Sequence, residues 1–140
     1  MADIPEALNS TFDFGMAGLG VRVICPPSWL DIIARSWASW EPSPDTVSWP
    51  VHIRVASHLS PPEGPLFEAI PQCRAGTCVL EHPGFEGYVL TEEGYAELSL
   101  HPDARAADVG YFMRVALTCQ AFARDALIFH TAAVLHHGRG

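Results

Sequence analysis

The chain has 140 residues, 49% of them hydrophobic and 17% charged, a balance that excludes intrinsic disorder and fits one folded domain. Its 16 acidic residues face 8 basic ones, for a formal net charge of −8, and no cluster of Arg occurs. The basic footprint that nucleic acid or an anionic membrane requires is therefore missing, and a basic peptide or small protein suits the field better.

Near the start, Thr11 to Phe14 and Leu19 to Cys25 are short β-favouring runs around Gly15, Gly18 and Gly20, the pattern of two strands joined by a turn. Pro26-Pro27-Ser28 stops the second strand and opens a helix, because Pro loses nothing where an N–H has no partner and a Ser hydroxyl caps. This helix is predicted over Ser28 to Trp40, with Trp29, Ile33, Trp37 and Trp40 in one stripe. The stripe reads as core, with a ligand or peptide platform as the alternative. Glu41 to Asp45 is a Pro-broken loop, and a strand follows over Trp49 to Ser57. In it Val51, Ile53 and Val55 face one way, while His52, Arg54 and Ala56 face the other, a solvated side of an antiparallel sheet or a partner contact.

His58 to Gly64 reads as an exposed loop, and Leu66 to Ile70 is ambiguous. Three strands are predicted over Thr77–Glu81, Gly87–Thr91 and Tyr95–Leu100, the last two joined by a hairpin turn with Gly94 at the position that tolerates positive φ. Glu92 and Glu93 at that turn read as water-facing, since nothing nearby desolvates either for acid/base work. Pro102-Asp103 opens a second helix, expected to run to about Asp125 and to be apolar on more than one side, with Asp103 or Asp108 satisfying N–H groups at its start.

Cys25, Cys73, Cys78 and Cys119 fall in different elements, and free thiols are the expectation for a cytosolic chain. Cys73, Cys78 and His82 lack the tight C-x-x-C knuckle of a zinc site and read as ordinary loop and strand residues, so no metal is assigned. Asp3 and Glu6 stand where a secretory signal carries positive charge, and Arg114 and Arg124 interrupt the most helical segment. The expected compartment is the cytoplasm, with no membrane span. The elements together predict an α+β fold, a mainly antiparallel sheet with two main helices.

The final residues, Leu127 to Leu135 followed by His136-His137-Gly138-Arg139-Gly140, read as a strand, a turn and the lead-in to a further strand. Here the chain resembles the bacterial HPr kinase/phosphorylase-like serine kinases. Phe129-His130-Thr131-Ala132-Ala133-Val134 is similar to the family's apolar strand with an early His, and Gly138-Arg139-Gly140 to the turn that precedes its second strand and phosphate-binding loop. The resemblance implies two parts: an N-terminal α+β domain over 1–126, and over 127–140 the first strand and turn of a truncated PEP-carboxykinase-like P-loop kinase core. It implies a catalytic role for His130 beside the phosphates, although Thr131 replaces the family's Gly. It implies ATP and Mg²⁺ as cofactors of the full-length family, and a small protein or peptide as substrate.

All 8 basic residues are Arg, so the chain has no Lys and no G-x-x-x-x-G-K-[ST] loop. That loop needs its Lys on the β/γ oxygens and its hydroxyl on Mg²⁺. The expectation is thus the N-terminal part of an ATP-dependent serine kinase, inactive by itself and with no cofactor in this chain. The alternative is a non-enzymatic peptide or protein recognition domain. Self-association through an unpaired terminal strand stays open in either case.

Overall fold

The computed structural model describes residues 9–16, 18–37, 40–42 and 46–125. Its elements are strands β1 (Ser10–Met16) and β2 (Leu19–Cys25), helix α1 (Pro27–Trp37), strand β3 (Trp49–Val55), a 3₁₀ turn (Leu66–Glu68), strands β4 (Gln72–Arg74), β5 (Thr77–His82), β6 (Phe85–Leu90) and β7 (Tyr95–Leu100), and helix α2 (Ala106–Ala123). The strands form one seven-stranded sheet in the order β1-β2-β3-β7-β6-β5-β4.

The fold is α+β with two main helices, and the sheet is mixed. β1–β2 and the run β7-β6-β5-β4 pair antiparallel, while β3 lies parallel to both β2 and β7. A parallel pair cannot be closed by a hairpin, so β2 and β3 need a crossover, and α1 supplies it. It starts one residue before the predicted Ser28: Pro27 is the first helical residue, which places Ser28 inside the helix rather than at its cap, and Trp29 N–H donates to Pro26 O at 3.0 Å.

Strand alternation sends Val21, Val23, Val51, Ile53, Ala96 and Leu98 to one side, where each is at most 1% exposed. Both helices contribute to the core on that side, Ile33 and Trp37 from α1 and Phe112, Met113, Ala116 and Leu117 from α2. The Trp stripe of α1 is therefore mainly core: Trp37 stacks on Phe14 at 4.6 Å between ring centroids, and the Trp40 ring meets Trp37 edge-on. Trp40 itself lies past the helix, which ends three residues earlier than the sequence predicts.

α2 starts at Ala106 rather than Pro102 because the residues before it are tied into a turn, with Asp103 N–H donating to His101 Nδ1 at 3.0 Å. The carboxylate that serves the helix start is Asp108. Its Oδ2 accepts the Arg105 N–H and its Oδ1 the Leu66 N–H, both at 2.9 Å, so one buried side chain joins the helix to the 3₁₀ turn. Gln120, fully buried near the other end of α2, accepts the Gly20 N–H at 2.8 Å and donates to Val47 O at 3.1 Å. A buried polar group costs stability unless it is bonded, and both of these are.

Three strand predictions in β5–β7 agree to within two residues at each end, and Gly94 has the expected positive φ, +65°. β4 was not foreseen. Its partner is β5, through a turn in which Ala75 and Gly76 both have positive φ, +50° and +81°, as a tight two-residue hairpin requires. No helix of the described residues is long and apolar enough to cross a membrane.

Candidate recognition face on the open side of the sheet

With both described helices on one side, no described helix covers the outward residues of the central strands. Register sets their neighbours. His52 on β3 lies beside Glu97 on β7, and Glu97 lies opposite Tyr88 on β6. Arg54 and Tyr95 are the next outward positions on β3 and β7, because side chains on one face recur every second residue.

The Glu97 carboxylate organises this group. Its Oε2 accepts the hydroxyls of Tyr95 at 2.8 Å and Tyr88 at 3.0 Å, and its Oε1 lies 3.3 Å from Arg54 Nη1. The His52 ring sits 5.3 Å from that of Tyr95, and the Tyr95 ring 6.3 Å from that of Tyr88. Burial and the hydrogen bond to the Glu97 anion raise the ionisation of Tyr95 far above the ordinary phenol range, and those same two causes raise that of Tyr88. Both phenols therefore stay protonated donors at neutral pH.

This arrangement suits binding better than bond making. Glu97 already accepts from two phenols and pairs with a cation, which leaves it a poor general base. The Arg54 side chain is 52% exposed, so part of its planar donor fork is open to a carboxylate or phosphate from outside. Tyr88 and Tyr95 offer half-buried rings with fixed hydroxyls, the amphipathic surface that interfaces favour. Beyond them Glu81 and Glu86 are directly opposite on β5 and β6 and exposed. Like charges in that position repel unless a cation comes between them.

His130, the residue singled out by the family resemblance, lies outside the described residues, as does the whole segment 127–140. Glu92 and Glu93 are at the expected turn and exposed. The expectation of free thiols at Cys73 and Cys78 is corrected: these two are joined in a disulfide, because the β4–β5 register puts them directly opposite. Cys25 and Cys119 are free and buried, and burial pushes the Cys25 thiol up to about 11. His82, the third residue of the spacing considered for zinc, points its Nε2 toward Glu68 Oε2 at 3.9 Å. Among the described residues no group of three or more His, Cys, Asp or Glu is arranged to hold a metal ion.

Sequence reasoning identified His52 and Arg54 as the outer row of β3 but missed Glu97 and the two tyrosines. The available signal was the alternation Tyr95-Ala96-Glu97 together with the hairpin, which brings Tyr88 opposite Glu97. No family model matches the chain, and neither does any curated protein or solved structure.

Proposed function

We propose that this chain is a recognition portion of an HPr-kinase-like, ATP-dependent serine kinase, inactive by itself, which presents its open sheet face to a small protein or peptide. The observation that carries the recognition role is the Arg54–Glu97–Tyr95–Tyr88 network: donors and aromatic faces fixed in place on a sheet face that no described helix covers, with its central carboxylate saturated. The kinase connection rests on Phe129 to Val134 with its His130, and on the Gly138-Arg139-Gly140 turn. Phosphoryl transfer depends on positioning and charge stabilisation by a phosphate-cradling loop, a Lys and Mg²⁺, and this chain has no Lys to offer.

The partner's chemistry follows from the face. A segment crossing it meets Arg54 at one end and the Glu81/Glu86 pair at the other, so an acidic or phosphorylated group followed by a basic one is the best match.

A second reading, a recognition domain that works without any kinase core, is favoured by the core in the described residues, which closes around Phe14, Phe85, Phe112 and Leu98 with all four at most 1% exposed. Calorimetry with Mg²⁺-ATP separates the two readings. The chain and the longest reading frame that contains it are each titrated. Binding by the longer protein alone supports the kinase reading; binding by neither leaves recognition without a kinase; binding by this chain refutes its being inactive for want of a phosphate loop.

A further inference from the structure

Three sulfurs converge where α2 passes over β5. Cys119 Sγ lies 3.7 Å from Cys78 Sγ, and Cys78 is bonded to Cys73. Cys78 and Cys119 are buried at 6% and 8% exposure, whereas Cys73 is exposed on β4, the last strand of the sheet. The separation is close to the roughly 3–3.5 Å of a near-attack pair. Closing it to a bond of about 2.05 Å asks the sulfurs to approach by about 1.7 Å, a displacement of the order that side-chain rotation supplies.

A second, independent feature favours opening the Cys73 side. The Cys73–Cys78 bond closes a hairpin whose turn holds Ala75 at φ +50°, a left-handed conformation that is unfavourable for residues with a Cβ. β4 is only three residues long and pairs with β5 alone. Once its tether is cut, β4 is left with its short pairing to β5, while the turn stays anchored at Gly76 O, which accepts the Thr91 N–H at 2.9 Å and the Thr91 hydroxyl at 2.7 Å.

We propose that Cys73, Cys78 and Cys119 form a thiol–disulfide exchange site that delivers a reactive thiolate to Cys73 at the sheet edge. The Cys119 thiol loses its proton and its sulfur attacks Cys78 Sγ. The Cys119–Cys78 bond forms as the Cys78–Cys73 bond breaks, and the bonding pair leaves on Cys73. The count of disulfides and thiols is unchanged, so the step needs no outside oxidant. Cys73 then takes up a proton or, as the thiolate, attacks a low-molecular-weight disulfide of the glutathione class, forming a mixed disulfide at Cys73 and releasing one thiolate. Burial of Cys119 keeps its thiolate scarce, so the interchange belongs to the minutes-to-hours range of unassisted disulfide rearrangement.

Trypsin places the three cysteines in separate peptides, spanning 55–74, 75–105 and 115–124. The full chain is oxidised with glutathione disulfide, freed of small molecules, and held folded with N-ethylmaleimide before unreduced digestion and mass spectrometry. The expected result is maleimide accumulating on Cys73 over hours, matched by a linked 75–105/115–124 pair. In Cys119→Ala and Cys119→Ser that labelling falls at least tenfold while the 55–74/75–105 link persists. Circular dichroism selects whichever variant keeps the native fold. Failure of the Cys73–Cys78 bond to form, an unlabelled Cys73 after a day, or equal labelling in the folded Cys119 variant overturns the proposal.

Discussion

Replacing Gln120 by Glu tests the packing that holds α2 against the start of β2. The side chain is fully buried, with its oxygen on the Gly20 N–H and its nitrogen on Val47 O. A Glu in that place keeps the first bond. When ionised it turns a second oxygen toward Val47 O, and when protonated it donates an O–H there and restores both bonds. Burial disfavours the anion, so the folded-state pKa of the introduced Glu rises above its unfolded value of about 4.3, by roughly 2–3 units for a site this enclosed. A raised folded pKa gives stability that is fully present below the unfolded value and lost as pH rises through the folded one. At about 1.36 kcal/mol per unit, the variant at pH 7.5 is about 3 kcal/mol less stable than at pH 4 when each is compared with the parent. Arg124, one turn further on and bonded to Gly18 O, offsets part of the charge and favours the lower end of the range. Urea unfolding followed by Trp fluorescence at pH 4, 5.5 and 7.5 measures the difference. A stability loss independent of pH refutes the reasoning, because it means that position 120 does not desolvate its side chain.

Asp108→Ala strips the Leu66 and Arg105 N–H groups of their acceptor, and thermal unfolding is expected to show a loss of about 2–3 kcal/mol, with Asp108→Asn closer to the parent. Above pH 10, where unfolded tyrosines ionise, Tyr88 and Tyr95 stay protonated in the fold, so stability falls with rising pH until their folded pKa values are passed. Absorbance at 295 nm during alkaline titration should therefore lag for two of the three tyrosines, and Tyr95→Phe should remove part of the lag. Glu81→Lys replaces a like-charge pair by an opposite one across β5 and β6 and is expected to add about 0.2–1 kcal/mol, read as a higher urea midpoint with an unchanged slope.

Much of the scaffold is legible in the sequence because its signals are local. The β3 alternation, the Gly94 turn and the proline-led helix start each act within a few residues, and each appears within two residues of its predicted place, although β3 ends at Val55 rather than Ser57 and Ala56, expected on the solvated side, is buried. What is hard to read depends on pairing across long separations. β3 lies parallel to β2 and β7, and no residue of β3 announces which strands flank it. Glu97 reads as an ordinary outward carboxylate until the sheet brings Arg54 beside it from 43 positions earlier. The Cys73–Cys78 bond was hidden for another reason: β4 is three residues long, too short to show a period, so the tight turn that makes the two cysteines opposite leaves no pattern. The disposition of Asp108 was half legible, since its place at a helix start is local but its second bond, to Leu66, is not.

The account's central claim is that the sheet face opposite the two described helices is where this chain meets a partner. Peptides selected from a random display library against the immobilised chain, then titrated by calorimetry against the chain with Arg54→Glu and Tyr95→Ala, test it most directly. Arg35→Glu, on the exposed side of α1, serves as the control. The account predicts selected peptides with an acidic residue followed by a basic one, binding at least tenfold more weakly to the face variant and unchanged to the control. Full affinity in the face variant, or loss in the Arg35 variant alone, contradicts it.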